Sequence, residues 1–216
     1  MNTKGKSQNG IALWEIALVI ATVVLVAICL FPLSWSRSRA RASRISCTSQ
    51  LKQVGLAHRL FANDNGDQFP FALSNERGGS LSFASTPQVF RHFEALSNEL
   101  VTPKILICPQ DRTRIRASQF QAPLANSNIS YFVGLDAKEA QPQTILSGDR
   151  NITGGRLTNG FLRLITTNDV LGWTKELHKG GGNVGFGDGS VQQFLSSGLT
   201  SYVRTQSVTV IRLAIP

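Results

Sequence analysis

The sequence is poor in the residues that build metal or redox centres, with three cysteines and three histidines among 216 residues. It contains no CxxC pair and no combined Cys/His spacing typical of a zinc site, so we expect no bound metal and no cofactor. No Walker-type phosphate loop occurs, and no Ser or Cys stands in a nucleophile elbow. Low-complexity stretches and internal repeats are also absent. The sequence therefore predicts a protein that is not an enzyme.

Apolar residues are unevenly spread, because one run over residues 11–33 is interrupted only by Glu15, Thr22 and Pro32. As an α-helix, these 23 residues would rise about 34 Å, enough to cross a bilayer core. The run is longer than the core of a secretory signal, and no small-x-small cleavage site follows it. The pattern predicts a transmembrane helix over residues 11–34.

Basic residues outnumber acidic ones, and the formal net charge is +9. Six of the basic residues flank the apolar run: Lys4, Lys6, Arg37, Arg39, Arg41 and Arg44. From residue 45 onward there are 16 basic and 12 acidic residues, a net charge of +4. The arginines after the run are suited to contact anionic lipid headgroups. The small net charge of residues 45–216 argues against nucleic acid as a partner.

Glu15 stands inside the apolar run, where a carboxylate costs roughly 2.5–3.5 kcal/mol near a bilayer centre and less near its edge. A short basic leader ending in Gly10 precedes it. Residues 6–15 resemble the class III signal of type IV prepilins and type II secretion pseudopilins, in which cleavage follows Gly and Glu is the fifth mature residue. A carboxylate that favours the helix macrodipole is the simpler alternative.

This resemblance implies a processing and assembly pathway. Prepilin peptidase would cleave between Gly10 and Ile11, and the new amine of Ile11 would be N-methylated. Glu15 would pair with the N-terminal amine of a neighbouring pilin-like subunit during assembly, which suits the need of a buried carboxylate for a cation. The implied partners are prepilin peptidase, other pilin-like subunits and the inner membrane.

The chain is expected to contain a leader peptide over 1–10, a transmembrane helix over 11–34, a stem helix over 35–62 and a globular head over 63–216. Within the stem, Cys47, Leu51, Val54 and Phe61 recur at helical spacing, which predicts an amphipathic helix with one buried stripe. Gly66 suits a left-handed cap that ends it.

The head contains a helix start at Thr86-Pro87 and several short apolar segments. We predict strands over residues 105–108, 129–133, 144–147, 162–166 and 208–213. Short strands after an initial long helix predict an α+β fold. The expected fold is pilin-like: a long N-terminal transmembrane and stem helix packed on a small head with an antiparallel sheet.

The clearest local signal is Asp188-Gly189, a dipeptide that suits a type I′ turn and is flanked by alternating segments. It predicts a β-hairpin over residues 182–194. Nine residues separate His178 from Asp188. This spacing resembles the His-X9-Asp-Gly signature of a prepilin-like group, and residues 46–70 are similar to the stem of the same group.

The roles of His178 and of the head cysteines stay open at this stage. We favour a structural hydrogen bond from His178 to Asp188 or to backbone, which would hold the hairpin. A general base oriented by Asp188 is the catalytic alternative, and a metal site with these two residues has too few ligands. Cys47 and Cys108 could form a disulfide in an oxidising compartment.

The first hypothesis for function is a pseudopilin-like or minor-pilin-like subunit of a type II secretion or type IV filament system. It would be a single-pass inner-membrane protein with a cytoplasmic N-terminus and a periplasmic head, or part of a periplasmic or surface filament. The second is a membrane-anchored extracytoplasmic module that binds polysaccharide, secreted protein or DNA. The alternating residues Arg112, Arg114 and Arg116 could contact phosphates or form a solvated edge strand.

Overall fold

The computed structural model describes residues 13–120, 124–206 and 209–216. The chain divides into two compact units, Met1–Ala42 and Ser43–Pro216. We call the second unit the body. The predicted cleavage site at Gly10 and Ile11 lies outside the described residues.

The longest element is α1, a helix of 52 residues over Leu13–Asp64. It ends where the sequence predicts, because Gly66 and Asp67 adopt positive φ values of 66° and 59°. The amide of Asp67 then donates to the carbonyl of Ala62 and satisfies one of the last helical acceptors.

The predicted transmembrane helix over residues 11–34 is wrong, and with it the pilin-like fold built on a transmembrane stem. No helix in the described part of the chain combines the length and the apolarity needed to cross a bilayer.

The described part of the body contains nine strands. They are β1 (Tyr131–Gly134), β2 (Ile145–Asp149), β3 (Ile152–Thr153), β4 (Arg156–Thr158), β5 (Leu162–Thr166), β6 (Gly172–Trp173), β7 (Gly181–Phe186), β8 (Val191–Leu195) and β9 (Val210–Ala214). Seven of them form one sheet in the order β4-β5-β9-β1-β2-β7-β8, with antiparallel neighbours throughout. Strands β3 and β6 pair separately. The body is therefore α+β with an antiparallel sheet.

Helices cover both faces of the sheet, so its central strands are buried on both sides. The period-2 alternation of β1 sends Tyr131 and Val133 into a core cluster shared with α1, and Phe132 into a cluster shared with α4 (Ser196–Arg204). The predicted stripe of α1 packs in the first cluster, where Cys47, Leu51, Val54, Ala57 and Phe61 are all buried. Two shorter helices, α2 (Phe90–Glu94) and α3 (Ser97–Leu100), add to that cluster.

Two local predictions differ from the structure. Residues 105–108 do not form a strand, because a 3-10 helix occupies Pro103–Leu106: Thr102 accepts a hydrogen bond from the amide of Lys104, and Pro103 stands at the helix start. The helix expected to start at Thr86-Pro87 begins only at Phe90.

The predicted hairpin is confirmed as β7 and β8. Its turn is not of type I′, because Gly189 has a φ of 80° whereas Asp188 is not left-handed. The amide of Gly189 donates to the carbonyl of Phe186, and Oδ1 of Asp188 accepts from the amide of Ser190. A turn followed by one left-handed Gly also connects antiparallel strands.

Candidate functional site

Four chemically reactive side chains meet inside the body: Cys47, Cys108, Asp149 and His178. We call them the Cys-Asp-His cluster. One ligand atom from each residue lies within 4.8 Å of the corresponding atom of every other. The relative exposure is 0% for Cys47, Cys108 and Asp149 and 3% for His178.

Each member comes from a different element. Cys47 projects from the buried stripe of α1, Cys108 follows the 3-10 helix Pro103–Leu106, and Asp149 is the last residue of β2. His178 lies just before β7. Because β2 pairs with β7, the end of one strand lies beside the start of the other. The sheet register therefore brings Asp149 and His178 together.

The backbone holds His178 in a strained conformation. Its φ is 51°, and Lys179 and Gly180 follow with φ values of 56° and 89°. Left-handed backbone costs a non-glycine residue of order 1–3 kcal/mol and persists only where surrounding contacts maintain it. The His178 amide donates to Oε1 of Gln110 at 3.1 Å, and the His178 carbonyl accepts from Arg44 at 2.8 Å. These two contacts hold the backbone of His178 in place.

The imidazole Nε2 of His178 is the centre of the cluster. It lies 3.3 Å from Sγ of Cys47 and 3.5 Å from Sγ of Cys108. It also lies 3.3 Å from Oδ2 of Asp149. The other carboxylate oxygen, Oδ1, is 3.5 Å from Sγ of Cys47.

Asn183 supports the cluster from β7. Its backbone and side-chain amides donate to Oδ2 of Asp149 at 2.7 and 3.0 Å. Its Nδ2 also lies 3.2 Å from Nε2 of His178, and its Oδ1 accepts from Thr48 at 3.2 Å. Asn183 is fully buried, so it orients both Asp149 and His178.

The charges in the cluster shift the pKa values of its members. Burial by itself lowers the pKa of His178, but hydrogen bonds and charge from Asp149 and Cys108 outweigh it and raise that pKa to about 9. The hydrogen bond with Cys47 lowers the pKa of Cys108 to about 6, against the effect of burial. The same bond and burial raise the pKa of Cys47 far above its usual value. Cys108 is thus the thiol that ionises first.

An ion-paired network packs beside the cluster. The guanidinium of Arg150 donates two hydrogen bonds to the carboxylate of Asp111, at 2.7 and 3.1 Å, and pairs with Glu176 at 3.1 Å. Burial raises the pKa of Asp111, but the hydrogen bonds from Arg150 and Thr113 hold it below its usual value. Arg150 and Asp111 join the segment after Cys108 to the end of β2.

The two aspartates of interest occupy different places. His178 lies beside Asp149, whereas Asp188 and Gly189 lie in the β7–β8 turn. In that turn the backbone carbonyl of Asp188 accepts a hydrogen bond from the guanidinium of Arg59 at 3.1 Å. The backbone amide of Asp188 donates to the carbonyl of Pro142. The structure thus gives His178 and Asp188 separate contacts: the first belongs to the cluster and the second to the turn.

The predicted cysteine pair is brought together. Cys47 and Cys108 are free thiols in the structure, and their Sγ atoms lie within 4.8 Å of each other. Cys29 is an exposed free thiol on α1.

Glu15 belongs to the first turn of α1 and is surrounded in sequence by exposed apolar side chains. The possible phosphate-binding arginines do not form an alternating strand, since residues 112–116 lie in a loop. Arg114 is partly buried and donates to the carbonyl of Pro216 at 2.7 Å.

Sequence reasoning missed Asp149 and Asn183 as site residues. Neither belongs to a motif with His178, and the sheet register is what places them beside it. The one signal available was that Asn183 is a polar residue inside the hairpin predicted over residues 182–194, because a polar group that becomes buried requires partners. Asp149 lies two residues beyond the strand predicted over residues 144–147.

The cluster can support two kinds of chemistry. A thiolate beside an imidazole and a carboxylate is the set of groups that a cysteine hydrolase uses. Here, however, all four side chains are buried, so a substrate could reach them only if the body opened. The same donor set can bind a metal ion without substrate access.

Comparison with protein-family models, with curated proteins and with solved structures found no match to this chain.

Proposed function

We propose that this protein is a pseudopilin-like or minor-pilin-like subunit of a type II secretion or type IV filament system, which assembles with other such subunits through the N-terminal part of α1. The observation that carries the proposal is the exposure of residues 13–29: every side chain in this stretch is exposed in the isolated chain. Most of them are apolar, including Leu13 at 86%, Leu25 at 66% and Ile28 at 67% exposure.

This surface needs an apolar partner, because a helix that is apolar all round is normally buried. Glu15 is the one charged residue in the stretch. Thr22 donates its hydroxyl to the carbonyl of Val19 at 2.8 Å, so the helix itself satisfies this polar group. Bundling with the same segment of neighbouring subunits would bury the whole stretch.

The N-terminal sequence favours subunits of this class over other helical partners. Gly10 precedes Ile11 at the position where prepilins are cleaved, and Glu15 would be the fifth mature residue. The His178–Asp188-Gly189 spacing adds a second, independent resemblance within the body. On this proposal, prepilin peptidase processes and methylates the chain, and the body lies outside the cytoplasm in a periplasmic or surface filament.

The first test is the mass of the N-terminal peptide of the protein recovered from its native host. The expected result is a mature chain that begins at N-methylated Ile11. A chain that keeps Met1, or one that is cleaved after residue 33, would contradict the proposal.

The second test uses Cys29 as a reporter of assembly, because it is an exposed thiol within the apolar stretch whereas Cys47 and Cys108 are buried. A flexible bis-maleimide applied to cells should produce cross-linked multimers of the wild-type chain. Cys29→Ser should abolish them, and Glu15→Gln should reduce them at an equal amount of protein. Glu76→Gln, which changes an exposed carboxylate of the body, is the matched control and should leave the multimers unchanged.

A further inference from the structure

The donor atoms of the Cys-Asp-His cluster are those of a zinc site. Structural zinc is bound by four protein ligands drawn from Cys sulfur, His nitrogen and Asp or Glu oxygen. Cys47, Cys108, His178 and Asp149 supply two sulfurs, one nitrogen and one carboxylate. The sequence gives no local spacing for such a site, because the ligands come from four separate segments.

The three separations that involve His178 Nε2 are those of ligands around a tetrahedral metal ion. The distances are 3.3 and 3.5 Å from His178 Nε2 to the two sulfurs, and 3.3 Å from Nε2 to Asp149 Oδ2. A tetrahedron with edges of about 3.4 Å has its centre about 2.1 Å from each corner, close to the usual ~2.0–2.3 Å metal–ligand distances of zinc. His178 therefore needs little movement to share an ion with each of the other three ligands, and the remaining pairs of ligand atoms lie within 4.8 Å of each other.

Hydrogen bonding alone explains the arrangement less well. Nε2 of His178 carries at most one proton, yet four polar atoms lie 3.2–3.5 Å from it: those of Cys47, Cys108, Asp149 and Asn183. A charge-assisted bond between imidazolium and carboxylate is usually about 2.7–2.9 Å long. The 3.3 Å between His178 and Asp149 exceeds that range and matches two ligands of one ion.

The charge of the cluster is also compatible with a cation, because the charged partner of Asp149 among the described residues is His178, which would itself become a ligand. Asp149 is a fully buried carboxylate beside two buried thiols. The arginines nearby are engaged elsewhere, since Arg150 pairs with Asp111 and Glu176 and Arg44 donates to the carbonyl of His178. A buried anionic group is stable only when it is paired or bound to a metal.

We propose that Cys47, Cys108, Asp149 and His178 bind one divalent cation of the zinc class in a closed, structural site of the body. Four protein ligands leave no open position for substrate, which distinguishes a structural site from a catalytic one. The ion links α1 to the sheet and to the segment after the 3-10 helix. Asn183 is a positioning residue, because its two amides orient the carboxylate of Asp149. This inference does not depend on the assembly proposal.

The test is a titration of the full-length chain, purified reduced and free of metal, with Co²⁺ and then Zn²⁺. Wild-type protein should bind one Co²⁺ per chain and show tetrahedral ligand-field bands together with a thiolate-to-cobalt charge-transfer band. Zn²⁺ should displace the cobalt and remove both signals.

Variants assign the ligands. Loss of a positioning residue is expected to weaken metal binding roughly 10–100-fold, so Asn183→Ala should fall within that range. Loss of a ligand should weaken binding by more than that in each of four variants: Cys47→Ser, Cys108→Ser, Asp149→Asn and His178→Gln. Matched controls outside the cluster are Cys29→Ser, Asp188→Asn and His92→Gln, which should keep full binding. Circular dichroism checks that each variant is folded.

The wild-type result decides the proposal even if a ligand variant does not fold. Wild-type protein that binds no stoichiometric cobalt, or binds it without a thiolate charge-transfer band, would overturn the inference. So would a Cys47–Cys108 disulfide in protein isolated from its host after its free thiols have been blocked.

Discussion

His178 Nε2 lies 3.3 Å from Oδ2 of Asp149, whereas the aspartate of its own sequence motif, Asp188, holds a hairpin turn. Both contacts depend on β7. The strand starts beside the end of β2, where Asp149 lies, and it ends at the turn that contains Asp188. The nine residues between His178 and Asp188 therefore span one strand of the sheet, with a polar cluster at its start and a turn at its end.

Zinc should stabilise the folded body if the Cys-Asp-His cluster binds it. At a free zinc concentration of 100 times the Kd, the gain is about 2.7 kcal/mol, which corresponds to a rise in Tm of roughly 5–10 °C for a chain of this size. Differential scanning fluorimetry with zinc and with a chelator measures the shift. Cys29→Ser should show the full shift and Cys108→Ser none. Equal Tm values in zinc and in chelator for the wild type would contradict the prediction.

The ion pair between Arg150 and Asp111 should contribute strongly to stability, because the Asp111 side chain is only 1% exposed and that of Arg150 13%. Arg150→Met leaves the carboxylate buried without its partner and should cost about 3–5 kcal/mol in the free energy of unfolding. Urea denaturation measures this cost.

The matched control for that change is Arg212→Met. Arg212 pairs with Asp136 in a similar geometry, but 48% of its side chain is exposed. Solvent screening should limit the effect to about 1 kcal/mol or less. Equal losses in the two variants would show that burial does not decide the strength of these pairs.

Gly182 should not tolerate a side chain, because a Cβ atom there would lie 2.5 Å from the indole ring of Trp173. Gly182→Ala must displace the ring and should cost about 1–3 kcal/mol. Urea denaturation gives the change, and near-UV circular dichroism reports the tryptophan environment. Gly198→Ala, in α4, meets Phe194 at an ordinary 3.5 Å and should be neutral or stabilise by up to about 1 kcal/mol. A neutral Gly182→Ala would show that Trp173 can move freely.

The stability of the protein should fall as the pH drops from about 6.5 to about 4, because two buried histidines are protonated more readily in the unfolded chain. Burial lowers the pKa of His58 to about 4, and burial together with the charge of His58 lowers that of His92 to about 4, from 6.5 in the unfolded chain. The unfolded state then binds more protons between these values. The stabilisation is complete above pH ~6.5, and each histidine loses of order 3 kcal/mol as the pH falls to about 4.

Urea denaturation at pH 7, 5.5 and 4.5 measures this loss. The double variant His58→Gln/His92→Gln removes both titrating groups, so its stability should change less over the same range. Parallel profiles for the variant and the wild type would mean that these histidines do not determine the acid sensitivity.

The sequence by itself determined the elements whose signals are local. The spacing of Cys47, Leu51, Val54 and Phe61 predicted the buried stripe of α1, because a helix returns to the same face about every 3.6 residues. Asp188-Gly189 predicted the hairpin, since the left-handed backbone of its turn suits Gly189. The apolar run at the N-terminus led to a wrong prediction of a membrane span, since no helix in the described part of the chain is long and apolar enough to cross a bilayer.

Only the tertiary structure decided the site. Residues 105–108 form no strand, because the Thr102 cap and Pro103 favour a 3-10 helix and so short an apolar run has no distinguishing period. That segment places Cys108 in the cluster, and the pairing of β2 with β7 places Asp149 beside His178. These ligands are far apart along the chain, and no local spacing encodes their meeting. Sheet register and helix packing bring them together, and both depend on the whole body folding at once.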